Sequence, residues 1–238
     1  MNSIFLSAEW RKLVMANYVV DPSLLLPYLP YKTELDCFNN QCYLSLVGFR
    51  FLNTKLKGVK IPFHSNFEEV NLRFYVRFKS NNEWKRGVVF IKEIVPKPAL
   101  AFVANTLYKE NYDTMPMKHE WKTTENSLFV SYQWNWNDKW NQLSVSAANK
   151  PMPILQGSEA EFITEHYWGY TKLNDKKTSE YEVEHPRWKT YLINSYEIDV
   201  DFASIYDERF SFLNKATPTS VFLAEGSIIN VRSVTTVV

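Results

Sequence analysis

The stretch Glu69-Val70-Asn71-Leu72-Arg73-Phe74-Tyr75-Val76-Arg77-Phe78 decides how this chain is interpreted. Successive side chains of a β-strand point to opposite faces of the sheet. One face of this segment is therefore wholly apolar and carries Val70, Leu72, Phe74, Val76 and Phe78. The other face carries only side chains that make directed hydrogen bonds, namely Glu69, Asn71, Arg73, Tyr75 and Arg77. Such a polar face is either solvated, as in many antiparallel sheets, or lines a pocket for a polar molecule.

The composition is that of a folded protein rich in strands. The 238 residues are 45% hydrophobic and 22% charged, which supports a sizeable core and argues against disorder. Aromatic residues make up 16% of the chain, whereas there are only 6 glycines, a balance typical of a packed β core. The formal net charge of +1 gives no broad electrostatic field for nucleic acid or anionic lipid.

No segment of the sequence predicts export or membrane insertion. Residues 1–20 lack the basic start and long apolar run of a signal peptide. No apolar stretch approaches the roughly 20 residues that a membrane helix requires. We therefore expect a soluble, cytoplasmic protein that binds neither nucleic acid nor membrane, and the sequence leaves open whether it forms a homo-oligomer.

The cysteines and histidines do not indicate a metal site. Cys37 and Cys42 flank a possible tight hairpin, so a disulfide is conceivable, but reduced thiols are favoured in a chain without a secretion signal. The four histidines are scattered singly, whereas zinc sites need clustered ligands. They are His64, His119, His166 and His185. We expect neither a metal nor a cofactor.

Strands dominate the predicted secondary structure. Alternation predicts strands over residues 41–51, 70–78, 87–94, 99–107, 128–136, 140–147, 180–184, 190–198 and 219–231. Asp21 and Pro22 predict the start of a short helix. Ser158 and Glu161 form a capping box at the start of a second helix.

No linker, charge block or repeat divides the chain. Residues 150–153, Lys-Pro-Met-Pro, are the best candidate boundary, but the segments on both sides look like parts of one sheet system. We expect a single domain over residues 1–238, mainly antiparallel β (α+β), with a few flanking helices.

Several segments together resemble the YqjF-like family of uncharacterised bacterial proteins, over roughly residues 5–230. The resemblance is carried by Trp10, Asp21-Pro22, Leu25, Leu29-Pro30, residues 43–49, 67–76 and 87–90, Gly157-Ser158, residues 162–167 and 185–188. Its most specific part is Asn71-Leu72-Arg73. That family is similar in fold to acetoacetate decarboxylase, which implies a closed or nearly closed antiparallel barrel with flanking helices and a central pocket.

Such a barrel favours a pocket over solvent for the polar face of residues 69–77. The candidate ligand-binding residues are then Glu69, Asn71, Arg73 and Tyr75. Arg73 is suited to clamp a carboxylate or phosphate, and a desolvated Glu69 is suited to act as a base. Their Cα atoms are roughly 13 Å apart on a regular strand, so a direct ion pair is not expected. The alternative is a structural hydrogen-bond network inside the barrel.

The sequence departs from the decarboxylases of this fold at the catalytic amine. Those enzymes use a lysine beside a second lysine after a proline, because the neighbouring cation lowers the pKa of the amine that forms a Schiff base. Here Met117 follows Pro116, and Lys118 comes one residue later beside His119. We expect Lys118 to be solvated and predict no Schiff-base chemistry.

His185, in the segment His-Pro-Arg-Trp, is a third candidate for acid or base chemistry, with a structural turn residue as the alternative. The favoured hypothesis is a protein that binds a small polar or anionic molecule in a central pocket. The first alternative is an enzyme with lyase- or hydrolase-like acid–base chemistry and the catalytic candidates Glu69, Arg73 and His185. The second is an interaction module whose barrel is filled by side chains. The sequence does not decide whether a reaction is catalysed.

Overall fold

The computed structural model describes residues 3–238, and within this range the chain forms fifteen strands. The strands are β1 (Ile4–Val20), β2 (Thr33–Leu35), β3 (Cys42–Leu56), β4 (Val59–Lys60), β5 (Phe67–Ser80), β6 (Glu83–Val95), β7 (Tyr112–Thr114), β8 (Met117–Thr123), β9 (Ser127–Trp136), β10 (Lys139–Pro153), β11 (Trp168–Asn174), β12 (Lys177–Glu184), β13 (Lys189–Asp199), β14 (Ser220–Arg232) and β15 (Thr235–Val237). The predicted strands at residues 70–78 and 128–136 lie within β5 and β9, where the apolar alternation is regular.

The helices are short. They are α1 (Pro98–Leu107), α2 (Glu159–Thr164), α3 (Phe202–Ile205) and the 3₁₀ segments Pro22–Leu24, Leu26–Tyr28 and Glu208–Asn214. α2 begins where the capping box predicts, since the Ser158 hydroxyl accepts a hydrogen bond from the Glu161 amide at 3.2 Å. No helix within residues 3–238 combines the length and the apolar character needed to cross a membrane.

Seven strands of the sheet close into a ring. Their order is β12-β11-β6-β5-β3-β1-β14, and a pairing between β12 and β14 completes the circle. Neighbours in the ring are antiparallel except for β11 and β6, which run parallel. β13, β10, β9 and β8 continue the sheet outward from β14. The predicted fold class, mainly antiparallel β with a few helices, is confirmed.

The two faces of β5 pack against different surroundings. Leu72 and Phe74 are fully buried in an apolar cluster that includes Val130 and Trp134 of β9. The opposite face looks into the interior of the ring, where a second apolar cluster includes Val47 and Phe49 of β3. The ring interior is the part of the fold that positions the candidate site.

The strand predicted over residues 99–107 is wrong, because this segment is the helix α1. Pro98 occupies the first helical turn, where its missing N–H leaves no hydrogen bond unmade, and Lys97 before it is extended. Leucine and alanine in the following residues are strong helix formers. The two prolines therefore mark a helix start as well as the end of β6.

Seven strands were not predicted, namely β1, β2, β4, β7, β8, β11 and β15. In β1 the alternation is interrupted at Lys12, which has a φ of 54°, and the pairing with β3 shifts between Arg11 and Val14. This bulge moves the following apolar side chains to the opposite face of the strand. The regular alternation of apolar and polar residues, which predicts a strand, is therefore interrupted. β7 and β8 lie on either side of Pro116, and β8 contains Lys118. The boundary considered at residues 150–153 lies inside β10.

Cys37 and Cys42 are joined by a disulfide, so the expectation of reduced thiols was wrong for this structure. Phe38 and Gln41 exchange two backbone hydrogen bonds of 3.0 and 2.9 Å, and the two asparagines between them have φ values of 50° and 63°. This is the geometry of a tight two-residue hairpin. The hairpin holds the two cysteine Cα atoms 4.6 Å apart. The expectation of reduced thiols rested on the lack of a secretion signal, which says nothing about this distance.

Candidate functional site

The ring of strands surrounds a cavity of about 130 Å³. All seven ring strands and α1 contribute to its wall. The volume is several times the roughly 30 Å³ of one liquid water and below the roughly 300–1,000 Å³ of sites for drug-sized ligands. The ring is thus not filled by side chains, and the space suits a small molecule.

Three of the four predicted ligand-binding residues line this cavity. Glu69, Asn71 and Arg73 are buried, with 3%, 1% and 7% of their surface exposed. Tyr75 is buried too but lies outside the cavity wall, where its hydroxyl shares a hydrogen bond of 2.8 Å with Ser45. Arg77 is the part of this face that reaches solvent, and it forms an ion pair with Glu34.

Arg73 is a buried cation without a partner. Its Nε has no hydrogen-bond acceptor, and within residues 3–238 its guanidinium forms neither a hydrogen bond nor an ion pair. The nearest described stabilising contact is with the Tyr75 ring, whose centroid lies 5.9 Å from the guanidinium carbon. Glu69 attracts the Arg73 charge from a distance but forms no ion pair with it. A buried charge without a paired counter-charge costs roughly several kcal/mol, so this arrangement favours an anion in the cavity.

Three glutamates meet in another part of the cavity wall. Glu69 on β5 accepts hydrogen bonds from Asn71 Nδ2 at 3.0 Å and from the Tyr112 hydroxyl at 3.1 Å. Glu93 on β6 lies beside Asn71 in the strand register. Glu110, which precedes β7, accepts a hydrogen bond from the Tyr181 hydroxyl. We call Glu69, Glu93 and Glu110 the carboxyl cluster.

Burial makes the carboxyl cluster hold protons more strongly than exposed glutamates do. It raises the pKa of Glu69 to about 7, although Asn71, Tyr112 and Arg73 oppose the increase. It raises the pKa of Glu110 to about 7 as well, helped by the charge of Glu69. The pKa of Glu93 is raised well above its ordinary value by burial and by the charges of Glu110 and Glu69. The cluster therefore carries both protonated and ionised carboxyls near neutral pH, which suits proton transfer.

Two histidines also line the cavity. His166 is buried, and its Nε2 donates to the Asp36 carboxylate at 3.1 Å, which in turn accepts from Arg86 at 2.6 Å. Burial lowers the pKa of His166 to about 4, so the ring is neutral, and its Nδ1 is an acceptor without a partner. The predicted His185 is half-buried, stacks on Trp188 at 4.3 Å and donates through Nδ1 to the Pro186 carbonyl.

The remaining wall is mostly aromatic. Trp10 packs edge-on against Phe49 at 5.3 Å and against Phe51 at 5.9 Å. Tyr181 lies directly over Gly169, where an added Cβ atom would collide with the ring. Glycine at position 169 thus allows the Tyr181 hydroxyl to reach Glu110. An apolar wall with a few convergent polar groups is typical of small-molecule sites.

Sequence reasoning missed several residues of the site: Glu93, Glu110, Tyr112, His166 and Tyr181. The residues just before Pro116 contribute Glu110 and Tyr112 to the cavity, whereas Lys118 contributes nothing to its wall. Lys118 is exposed in β8 and lies over the Trp140 ring at 4.2 Å, outside the cavity wall. The one available signal was the density of tyrosine and glutamate around Asn111.

Within residues 3–238, no three side chains of histidine, cysteine, aspartate or glutamate are arranged to hold a metal ion. The carboxyl cluster is therefore considered below as a group that binds protons and hydrogen-bond donors.

The fold is similar to that of solved enzymes. Acetoacetate decarboxylase from Legionella pneumophila matches 98% of this chain and 87% of its own, with a TM-score of 0.65 and 13% sequence identity. The enduracididine biosynthesis enzyme MppR, in a structure complexed with pyruvate, matches 99% and 91%, with a TM-score of 0.64 and 10% identity. At such low identity the likeness shows the fold alone, and it confirms the expected acetoacetate decarboxylase-like architecture.

The sequence also has a relative and a family. The uncharacterized protein YqjF of Bacillus subtilis is 26% identical over 210 residues, which cover 88% of this chain and 83% of the relative. The model of the DUF2071 family, described as an uncharacterized conserved protein, matches residues 7–228. That match includes residues of all seven ring strands. The chain belongs to the DUF2071 family.

Proposed function

We propose that this protein binds a small carboxylate in the central cavity and that Arg73 holds the carboxylate group. The observation that carries the proposal is the unpaired guanidinium of Arg73, buried to 7% exposure in the cavity wall. A guanidinium presents donors in a planar fork that matches the two oxygens of a carboxylate. A ligand of this kind would replace the missing counter-charge.

The size and surroundings of the cavity support a small ligand. A volume of about 130 Å³ excludes large cofactors, and the aromatic wall suits a short carbon chain. The enduracididine biosynthesis enzyme of the same fold has been solved with pyruvate, a small carboxylate. This likeness supports the ligand class for the present chain without specifying the molecule.

A second candidate function is acid–base catalysis on the bound carboxylate. Glu69, with a pKa of about 7, stands on the same strand face as Arg73 and holds or releases a proton near neutral pH. No lysine contributes to the described cavity wall, so a Schiff base is not part of this proposal. The acid–base chemistry would be that of a lyase or hydrolase acting next to the carboxylate.

Calorimetric titration with pyruvate, acetate and butyrate tests the binding function. We expect Arg73→Ala to weaken binding by about 2–5 kcal/mol, because it removes the partner of a buried ligand charge. Arg77→Ala is the matched control, since Arg77 lies on the same strand but is paired with Glu34 at the surface. The control should bind as the wild type does. Equal binding by Arg73→Ala and the wild type, or no binding of any of the three carboxylates, would contradict the proposal.

A further inference from the structure

We propose that the ligand is a zwitterion, with its carboxylate on Arg73 and an ammonium or guanidinium group on the carboxyl cluster and Asn71. This inference rests on the proposed function and adds a positively charged group to the carboxylate ligand. Its basis is a set of buried acceptors in the cavity wall that have no donor.

Two of these acceptors are without any partner. Asn71 is 1% exposed, and because its Nδ2 donates to Glu69, its Oδ1 is the free atom and accepts only. Glu93 is 2% exposed, and its Oε2 also has no partner. Both residues line the cavity. A buried acceptor left without a donor is costly, so a ligand that donates at this point would be bound favourably.

The charges at this end of the cavity point to a cation. Ionised Glu69 disfavours ionisation of both Glu93 and Glu110, and Glu110 disfavours ionisation of Glu93, whereas a hydrogen bond with Glu93 favours the ionised form of Glu110. The hydroxyls of Tyr112 and Tyr181 donate one hydrogen bond each but carry no positive charge. An ammonium group offers three donors and one positive charge, so it would satisfy the free acceptors and compensate ionised carboxylates together.

The two ends of the cavity are separated by the strand that carries them. Arg73 and Glu69 are four residues apart on β5, which places their Cα atoms roughly 13 Å from each other. They do not form an ion pair with each other. A short molecule with opposite charges at its two ends would be held at both, whereas a simple fatty acid would leave Asn71 and Glu93 unsatisfied.

Matched pairs of probes test the inference by calorimetric titration at pH 7.5. Each pair has the same number of non-hydrogen atoms: 4-aminobutyrate with pentanoate, and 5-aminopentanoate with hexanoate. We expect at least one amino acid to bind tenfold or more tightly than its partner. A third probe, 4-hydroxybutyrate, distinguishes a cation from a neutral donor and should bind no better than pentanoate.

Variants of the carboxyl cluster assign the preference to its site. Glu93→Gln and Glu110→Gln should each reduce the ratio of amino-acid affinity to pentanoate affinity by tenfold or more. Two variants are used so that one that fails to fold, as judged by circular dichroism, leaves the other to decide. Glu120→Gln, an exposed carboxylate on β8, is the control and should keep the wild-type preference.

The outcomes separate this inference from the proposed function. Equal or tighter binding of pentanoate and hexanoate, or equal binding of 4-hydroxybutyrate, would overturn the zwitterion while leaving a carboxylate site at Arg73. The inference would also fail if the preference survived in the glutamine variants. Binding of none of the probes would overturn both claims.

Discussion

The two faces of β5 are buried to the same degree but for different reasons. Leu72 and Phe74 are 0% exposed and are stabilised by packing against other apolar side chains. Asn71 and Arg73 are 1% and 7% exposed, yet an oxygen of one and a nitrogen of the other have no partner. The difference shows that burial alone does not distinguish a packed core from the wall of a cavity. What distinguishes the Arg73 face is that it lines the cavity and carries a buried charge without a paired counter-charge.

Stability measurements should give opposite results for neighbouring residues of the two faces, and this is the largest effect we expect. Leu72→Ala should lower the free energy of unfolding by about 2–5 kcal/mol, because it leaves a cavity in the packed cluster. Arg73→Met should leave stability unchanged or increase it, because it removes an unpaired buried charge and keeps the volume. Urea denaturation of both variants checks the contrast. A loss for Arg73→Met as large as that for Leu72→Ala would mean that Arg73 is structural.

The pH dependence of the free energy of unfolding should reveal the ionisation of the carboxyl cluster. The folded-state pKa values of Glu69 and Glu110 are raised to about 7 from an ordinary value of 4.5. Their contribution is therefore complete below pH 4.5 and is lost as the pH rises through 7. His166 acts in the opposite direction, since its folded-state pKa is about 4 against 6.5 and its contribution is lost as the pH falls through 4.

Above pH 6.5 the ionisation of the carboxyl cluster lowers stability, while the last part of the proton loss of His166 in the unfolded chain acts in the opposite direction. We expect the free energy of unfolding to fall on the order of 1 kcal/mol for each such glutamate between pH 6.5 and 8. Urea denaturation at the two pH values measures the fall, and Glu110→Gln should make it smaller. An unchanged pH dependence in that variant would show that Glu110 ionises as an exposed glutamate does.

The smallest effect is expected at Lys118, which lies outside the cavity. Lys118→Ala should change stability by no more than about 0.5 kcal/mol, as is usual for surface positions. Incubation with acetoacetate and borohydride should give no adduct in intact mass measurement, since the cavity wall has no lysine in the described chain. A stable adduct that disappears in Lys118→Ala would restore the Schiff-base mechanism. It would contradict the assignment of the site to the cavity that the polar face of β5 lines.

Local patterns were enough to predict part of this site but not all of it. The alternation in residues 69–78 identified Glu69, Asn71 and Arg73, because a regular strand assigns each residue to a face by its position. Glu93, Glu110 and Tyr181 come from three further segments, and only the closure of the ring brings them beside Glu69. No local pattern carries that information.

Two other differences between the predicted and the observed secondary structure, at β1 and α1, have local causes. The bulge at Lys12 shifts the alternation of β1 by one residue, so the strand was not predicted. Pro98 fits the first turn of a helix, whereas residues 99–107 were predicted as a strand. His166 lies just beyond the end of α2, and its hydrogen bond with Asp36 depends on a residue 130 positions away.

The crystal structure of the protein soaked with 3-bromopropionate would test the central claim most directly. The bromine gives an anomalous signal that fixes the orientation of the probe in the cavity. The account predicts that the carboxylate oxygens lie within hydrogen-bond distance of the Arg73 guanidinium. A carboxylate bound away from Arg73, or an Arg73 side chain paired with Glu69 while the probe occupies the cavity, would contradict it.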